Sequence, residues 1–407
     1  MSTIVWIGLA STDEIFKQLA EKGYFHAPTH TAQKNIIAGI ENYLHQSIDT
    51  INGFMMPPVP KCSELITRGM QWSHQNGACD ISVPSLNIKY LDFIFRKLFM
   101  KIEGRKWALK HKHDSDIIVF VYAASEPYLA TAMEIKKMIP FAHICLIIPD
   151  LPQFMELNCS IVKRTLKNMR WKTLQRLIFR CDSYILFTKH MASYLQIKNR
   201  HWMVMEGSIN PDEQLPNTPC ESPAEIIIMY SGGIDNKYGI PELLHAFEQI
   251  PDSNYRLWFT GSGNADQFVL EKARNDSRIK HYGFLSARED VLKLQQKATM
   301  LITTRMPTEA ASAYCFPSKI FEYLLSGKPV LSFRIPGIPD EYFNYLIEIK
   351  NPTLRDIKNS ILKVGNMTGL ERKHLGDSGK NFVLREKNYN IQGKRICEFL
   401  GLKPINN

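Results

Sequence analysis

From residue 226 onward the chain alternates β-branched or aromatic runs with amphipathic stretches so regularly that few architectures can hold it. Ile226 to Tyr230 precedes a helical pattern over Pro241 to Ile250, and Arg256 to Thr260 precedes Asp266 to Arg274. Ile279 to Tyr282 is followed by Ala287 to Lys297, Met300 to Thr304 by Ser318 to Leu325, and Val330 to Phe333 closes the series. Strict strand/helix alternation predicts a parallel sheet with helices on both faces. In such sheets ligands bind beyond the carboxyl ends of the strands. The loops there are Ser231-Gly232-Gly233, Gly261-Ser262-Gly263, Gly283-Phe284 and Arg305-Met306-Pro307, and glycine recurs in three of the four.

The first half follows the same grammar less clearly, with strands expected at 3–8, 116–122, 143–149, 184–187 and 202–206; the stretch 52–90 stays unassigned. A chain of 407 residues exceeds what one hydrophobic core usually serves. Two doubly wound domains in tandem are therefore expected: 1–209, a polar linker at 210–223, a second domain at 224–385, and a C-terminal helix over 386–407 packing back on the first. No apolar run reaches the ~20 residues that cross a bilayer, and Ile4 to Ala10 lacks a basic flank, so a cytoplasmic protein is expected. Eight cysteines without a Cys-x-x-Cys pair fit a reducing compartment. His111-Lys112-His113-Asp114 reads as a solvated loop rather than a metal site, and no metal or cofactor is expected.

The segment with most chemistry runs from Phe316 to Val330. Proline at 317 sets a helix start, Gly327 its end, and Pro329 opens the next strand. Ile320, Phe321, Leu324 and Leu325 form its buried stripe, while Lys319 and Glu322 share another face in the first turn. The free N–H groups of a helix start plus the Lys319 charge suit a diphosphate. Glu322 can accept two hydrogen bonds from a cis-diol such as a ribose, or can simply pair with Lys319. Gly232 and Gly233 allow close backbone approach to a phosphate or a tight turn, and Phe284 either stacks on a base or sits in the core.

Phe316-Pro317-Ser318-Lys319, with Glu322-Tyr323 and Ser326-Gly327-Lys328-Pro329-Val330, resembles the donor-binding helix of GT-B glycosyltransferases of family four, in a bacterial polysaccharide-assembly branch. Tyr230-Ser231-Gly232-Gly233, Lys237-Tyr238-Gly239-Ile240, Gly261-Ser262-Gly263, Tyr282-Gly283-Phe284 and Pro336 to Tyr342 extend the resemblance, as does Ile148-Pro149-Asp150-Leu151-Pro152 in the first half. It implies two Rossmann-like domains facing each other across a cleft, and a retaining, metal-independent transfer of a hexose, from UDP or a similar carrier, to a glycan or lipid-linked oligosaccharide. Nucleic acid is not among the partners it implies.

The family's paired glutamates fall on Tyr314 and Glu322, so Glu322 is expected on the ribose; Glu309 is the substitute if its loop folds back. The backbone N–H groups of Cys315 and Phe316, with Ser318, are expected near the donor sugar. The family's Arg and Lys fall on Gly233 and Tyr238, which shifts phosphate contact to Lys237, Lys319 and Arg305. Its histidine falls on Pro149, leaving Asp150 as a catalytic candidate or a turn-former. Two other readings stay open: a non-hydrolysing sugar-nucleotide epimerase, and a catalytically silent nucleotide-sugar-binding adaptor.

Charge is uneven: residues 1–210 carry 25 basic and 17 acidic side chains, net +8, whereas 211–407 net +2. Residues 161–180 hold Lys163, Arg164, Lys167, Arg170, Lys172, Arg176 and Arg180 without an acid, and Phe93 to Lys112 mixes aromatics with seven Lys/Arg. Both stretches suit an anionic membrane surface or a solvated basic face.

Overall fold

A computed structural model of the chain describes residues 2–24, 27–155, 161–213, 215–216 and 225–405, with backbone alone at 27, 155 and 161–169. The chain divides into two compact units: Met1–Ser208 joined by Tyr389–Asn407, and Ile209–Asn388 between them in sequence. Much of the expected linker, at 214 and 217–223, lies outside the described residues, as do the side chains of Lys163, Arg164 and Lys167.

The first unit is built on an eight-stranded sheet in the order His201–Val204, Ser183–Leu186, His143–Ile148, Ile117–Tyr122, Thr3–Gly8, Asp49–Asn52, Asp80–Ser82, Met70–Trp72. All neighbours run parallel except the last pair. Ile117–Tyr122 is buried at every position, as a strand covered by helices on both faces must be, which is why its apolar run is unbroken. The stretch left unassigned by sequence holds very short strands: Met70–Trp72 and Asp80–Ser82 extend the sheet, and Ile66–Thr67 pairs with Ser85–Leu86 apart from it. Side chains rather than long ladders fix this region. Asn87, fully buried, donates to the Glu64 carbonyl at 2.8 Å and to Thr67 Oγ1 at 2.9 Å. His74 bridges Asp80 (2.8 Å) and Glu41 (2.9 Å), both buried, and ties the sheet edge to the helix Ala27–Leu44.

That same helix receives the C-terminal helix Tyr389–Phe399, and glycines make the close crossing. A methyl group added at Gly393 would lie 2.0 Å from the carbonyl carbon of Gly39. His111 ends the helix Leu91–His111 and pairs with Asp114 at 2.9 Å, so the segment expected as a loop is partly helical. Among the described residues no group of three or more His, Cys, Asp or Glu is arranged to hold a metal. The described cysteines are all free thiols.

The second unit carries a six-stranded sheet, parallel throughout, in the order Ile279–His281, Tyr255–Thr260, Ile226–Ser231, Met300–Thr303, Val330–Phe333, Ile347–Ile349. Its helices begin with recognisable signals. Pro241 sits in the first turn of Ile240–Glu248, and Thr368 forms a reciprocal capping box with Glu371 at the start of Gly369–Glu386.

Candidate functional site

The strand ends of the second unit are locked together through backbone. Gly232 N–H donates to the Thr260 carbonyl at 2.7 Å, Gly261 N–H to the Gly283 carbonyl at 2.9 Å, and Ile234 N–H to the Ser262 carbonyl at 3.0 Å. Gly232 (φ 123°) and Gly261 (φ 135°) occupy backbone conformations that side chains oppose. A methyl at Gly261 would stand 1.8 Å from the Gly232 carbonyl oxygen, so two adjacent loops meet with no room for a Cβ. Gly263 is as tight against the Ile234 carbonyl, at 2.2 Å.

Cations gather on this Gly232–Gly233 turn. Lys319 donates to the Ser231 carbonyl, and its ammonium lies where a Gly232 side chain would begin and 4.8 Å from the Tyr230 ring centroid. Burial, only partly offset by nearby Glu322, lowers its pKa to about 8. Tyr230 hydroxyl donates to the Gly233 carbonyl at 2.7 Å, and the Tyr238 ring packs on Gly233. Lys237 and Arg305 approach that ring to 5.0 and 5.7 Å. Arg305 also donates to Ser312 Oγ at 3.3 Å and to Cys315 Sγ at 3.3 Å. Lys319, Arg305, Lys237, Tyr238, Gly232 and Gly233 thus converge although up to 87 positions separate them. Lys319 on this side-chain-free turn, with Lys237 and Arg305 behind the Tyr238 ring, can hold a polyanionic group; the Asp235 carboxylate, 3.6 Å from where a Gly233 side chain would begin, is an opposing charge beside it.

The helix of Lys319 and Glu322 is Lys319–Leu325, seven residues long. So short a helix has a small dipole, and the charge at its start rests on Lys319 rather than on aligned peptides. Glu322 does not pair with Lys319 by hydrogen bond. Its carboxylate accepts from Arg288 at 2.6 Å and from Gln295 Nε2 at 2.5 Å, and Arg288 donates in turn to Glu213 at 2.8 Å. Burial alone would lower the pKa of Arg288; the two carboxylates outweigh it and raise it. Gln295 is fully buried and also donates to Ser231 Oγ at 3.2 Å. Tyr323, likewise buried, accepts from Ser231 N–H at 2.9 Å. Arg288, Gln295 and Tyr323 escaped the sequence reading. The position of Arg288, at the start of the helix after the Gly283-Phe284 loop, was the one signal for it.

The other expected residues divide. Phe284 is 71% exposed, which removes its reading as a core residue. Ser318 is exposed and makes no capping hydrogen bond with its side chain. Phe316 packs against Phe321 and Tyr342 at 4.9 and 5.2 Å, so only its backbone can face a ligand. Glu309 enters the turn before Ala310–Ala313, its carbonyl accepting from Ser312 N–H at 2.8 Å, while Tyr314 closes that turn on the Ala311 carbonyl at 3.0 Å. The loop is pinned further by Gly337 N–H donating to the Ser312 carbonyl at 3.0 Å. Asp150 belongs to the first unit, exposed just beyond the strand His143–Ile148, and its charge joins burial in raising the Tyr122 pKa.

Residues 225–364, about a third of the chain, match the family described as "Glycosyl transferases group 1", so the second unit carries a glycosyltransferase domain. Comparison with curated protein sequences gives no match. Solved structures are similar over almost the whole length. The apo structure of OtsA is 11% identical over the whole of both chains and superposes with a TM-score of 0.66. Sucrose-phosphate synthase from Thermosynechococcus elongatus is 13% identical over 97% of this chain and 98% of its own, with a TM-score of 0.65. A UDP-forming α,α-trehalose-phosphate synthase from Burkholderia xenovorans, in complex with glucose-6-phosphate, is 10% identical over 98% and 100%, with a TM-score of 0.62. Likeness at such identity speaks for the fold, which is the two-unit GT-B architecture.

Proposed function

We propose that the chain transfers a hexose from a nucleoside-diphosphate sugar, UDP-hexose in the first instance, with the second unit as donor site. The observation that carries this reading is Lys319 on the Gly232–Gly233 turn, one helical turn from Glu322, with Arg305 beside the Tyr238 ring that packs on Gly233, inside the matched domain. The diphosphate lies against the turn, with Lys319, Arg305 and Lys237 as its cationic partners. As the bond from the sugar to the diphosphate breaks, negative charge grows on the leaving oxygen, and positive groups fixed beforehand stabilise it without reorganising. Glu322 accepts from the ribose hydroxyls, which requires Arg288 to share or yield the carboxylate. Cys315, Phe316 and Ser318 border the sugar, with Glu309 and Tyr314 in the adjoining turn, and Phe284 offers its exposed ring to the base. Gly261 and Gly263 act by holding the turn. Asp150 is the acceptor-side candidate.

The acceptor we infer is a glycan or lipid-linked oligosaccharide in polysaccharide synthesis, with retained configuration, at the cytoplasmic face of a bacterial membrane. A phosphorylated monosaccharide is the second reading, favoured by the similar structures, which include sucrose-phosphate and trehalose-phosphate synthases. Incubating the protein with UDP-hexoses and following UDP release separates these readings. Release stimulated by a lipid-linked oligosaccharide supports the first; release stimulated by glucose-6-phosphate supports the second. A product epimerised without acceptor overturns transfer altogether. Calorimetric titration with UDP tests the donor site: Glu322→Ala should weaken binding by about 1.5–3 kcal/mol through lost charged hydrogen bonds. An unchanged Kd removes Glu322 from the ribose.

A further inference from the structure

The helix Leu91–His111 is apolar on two opposite faces, and only one of them is covered. Arg96, Met100, Gly104, Trp107 and Ala108 form the buried face, packed on Glu126–Met138 so closely that a methyl at Gly104 would lie 2.7 Å from Thr131. On the other side Leu91, Ile94, Phe95, Leu98, Ile102 and Leu109 recur at helical spacing and are all exposed. Ile94 is 60% exposed and Leu98 53%, and Tyr90, immediately before the helix, is 71% exposed. From Leu91 to Ile102 the stripe runs about 17 Å at ~1.5 Å per residue, and Leu109 stands beyond exposed Arg105 and Lys106. A cluster of large exposed apolar side chains on one helix face marks a partner.

Charge identifies that partner. Lys97, Lys101 and Arg105 are bound to Glu126 and Glu134 of the neighbouring helix, and Lys106 to Glu103. Exposed Lys89, Lys110 and Lys112 stand at the two ends of the stripe, and Arg170 of Ile161–Ile178 lies 4.1 Å from the Phe93 ring centroid with Lys172 and Arg176 exposed beyond it. A second copy docking by two-fold symmetry would set these cations against their own duplicates. An anionic lipid surface takes both the apolar stripe and the basic ends. No helix among the described residues is long and apolar enough to cross a membrane.

We infer that the Leu91–His111 helix lies in the plane of an anionic membrane, its exposed stripe among the acyl-chain boundary and Lys89, Lys110 and Lys112 at the headgroups. Nothing in this depends on donor binding, so the test is made without nucleotide sugar. Vesicles of equal parts phosphatidylglycerol and phosphatidylcholine, and of phosphatidylcholine alone, are sedimented with the full chain at low salt and at about 0.5 M salt, where the screening length is only a few Å. The wild type should bind the anionic vesicles and leave them in high salt. Lys89→Gln/Lys110→Gln/Lys112→Gln should bind on the order of 100-fold more weakly. Ile94→Ser/Leu98→Ser/Ile102→Ser should lose binding while melting like the wild type, and Leu98→Glu alone repeats the measurement if the triple variant unfolds. Wild-type affinity in the apolar variants, or equal binding to phosphatidylcholine, overturns the inference. So does a dimer in sedimentation velocity that Leu98→Glu dissociates, because a second copy then covers the stripe.

Discussion

The two units share a fold plan but build their strand ends differently. In the second, the loops after Ile226–Ser231 and Tyr255–Thr260 meet through glycine backbone, with the Lys319 side chain laid over Gly232. In the first, the corresponding ends are filled with side chains: Leu9 N–H donates to Gln33 Oε1 at 3.0 Å, Ala10 N–H to Asn52 Oδ1 at 2.7 Å, and Ser11 Oγ meets His30 Nδ1 at 3.2 Å. A turn made of backbone offers fixed dipoles to any diphosphate, whereas one made of side chains can be tailored to a particular partner. On the proposed function, the half of the reaction that all donors share and the half that varies with the acceptor would rest on different construction materials.

The sharpest way to break this contrast is Lys319→Ala, which should lower kcat by about 100- to 1000-fold, as loss of a preorganised charge on the leaving group does. An activity within a few fold of wild type would move that role to Arg305 or Lys237. The pH profile refines it. Because its pKa is about 8, Lys319 is charged below that value and neutral above it, so kcat/KM should fall as pH rises through 8. Lys319→Arg should flatten that limb.

The first unit has its own charged clasp. Removing one member of the buried Glu41–His74–Asp80 set with His74→Gln should cost about 3 kcal/mol of stability, read as a lower Tm. Burial lowers the His74 pKa, but Asp80 and Glu41 more than reverse this and lift it from 6.5 to about 10. The clasp therefore contributes fully below pH 6.5 and fades as pH climbs toward 10. The Tm gap between wild type and variant should narrow over that range; a constant gap would mean that the imidazole acts by packing alone.

Smaller again is the difference between two glycine variants. At Gly261 an added methyl meets backbone at positive φ, while at Gly8 it meets the Gln33 side chain at 2.3 Å and must break its hydrogen bonds to Trp6 and Leu9 without straining the main chain. Gly261→Ala should cost roughly 2 kcal/mol more than Gly8→Ala in thermal denaturation. Equal costs would show that the interlock of the second unit has slack.

Legibility in sequence followed the same division. Most of the second sheet could be read because strands such as Ile226–Ser231 and Val330–Phe333 are apolar runs and Gly232, Gly261 and Gly283 mark three strand ends, whereas Ile347–Ile349, three residues with a glutamate at the centre, was not foreseen. The strands between 52 and 90 could not, being two or three residues long and secured by Asn87 and His74 through contacts that leave no periodic trace. Lys319 and Glu322 stood out through their spacing on one helix. Arg288 and Gln295 reach Glu322 from 34 and 27 positions away, and Tyr323 reaches Ser231 across 92, distances at which no local pattern exists.

The return of Tyr389–Phe399 to the first unit has a consequence for the order of manufacture. A ribosome that has released residue 388 has delivered every part of the second unit, yet the unit begun first still lacks the helix whose Gly393 seats against Gly39. The second unit is complete while the first is unfinished, and the face of Ala27–Leu44 waits uncovered until Tyr389–Phe399 emerges.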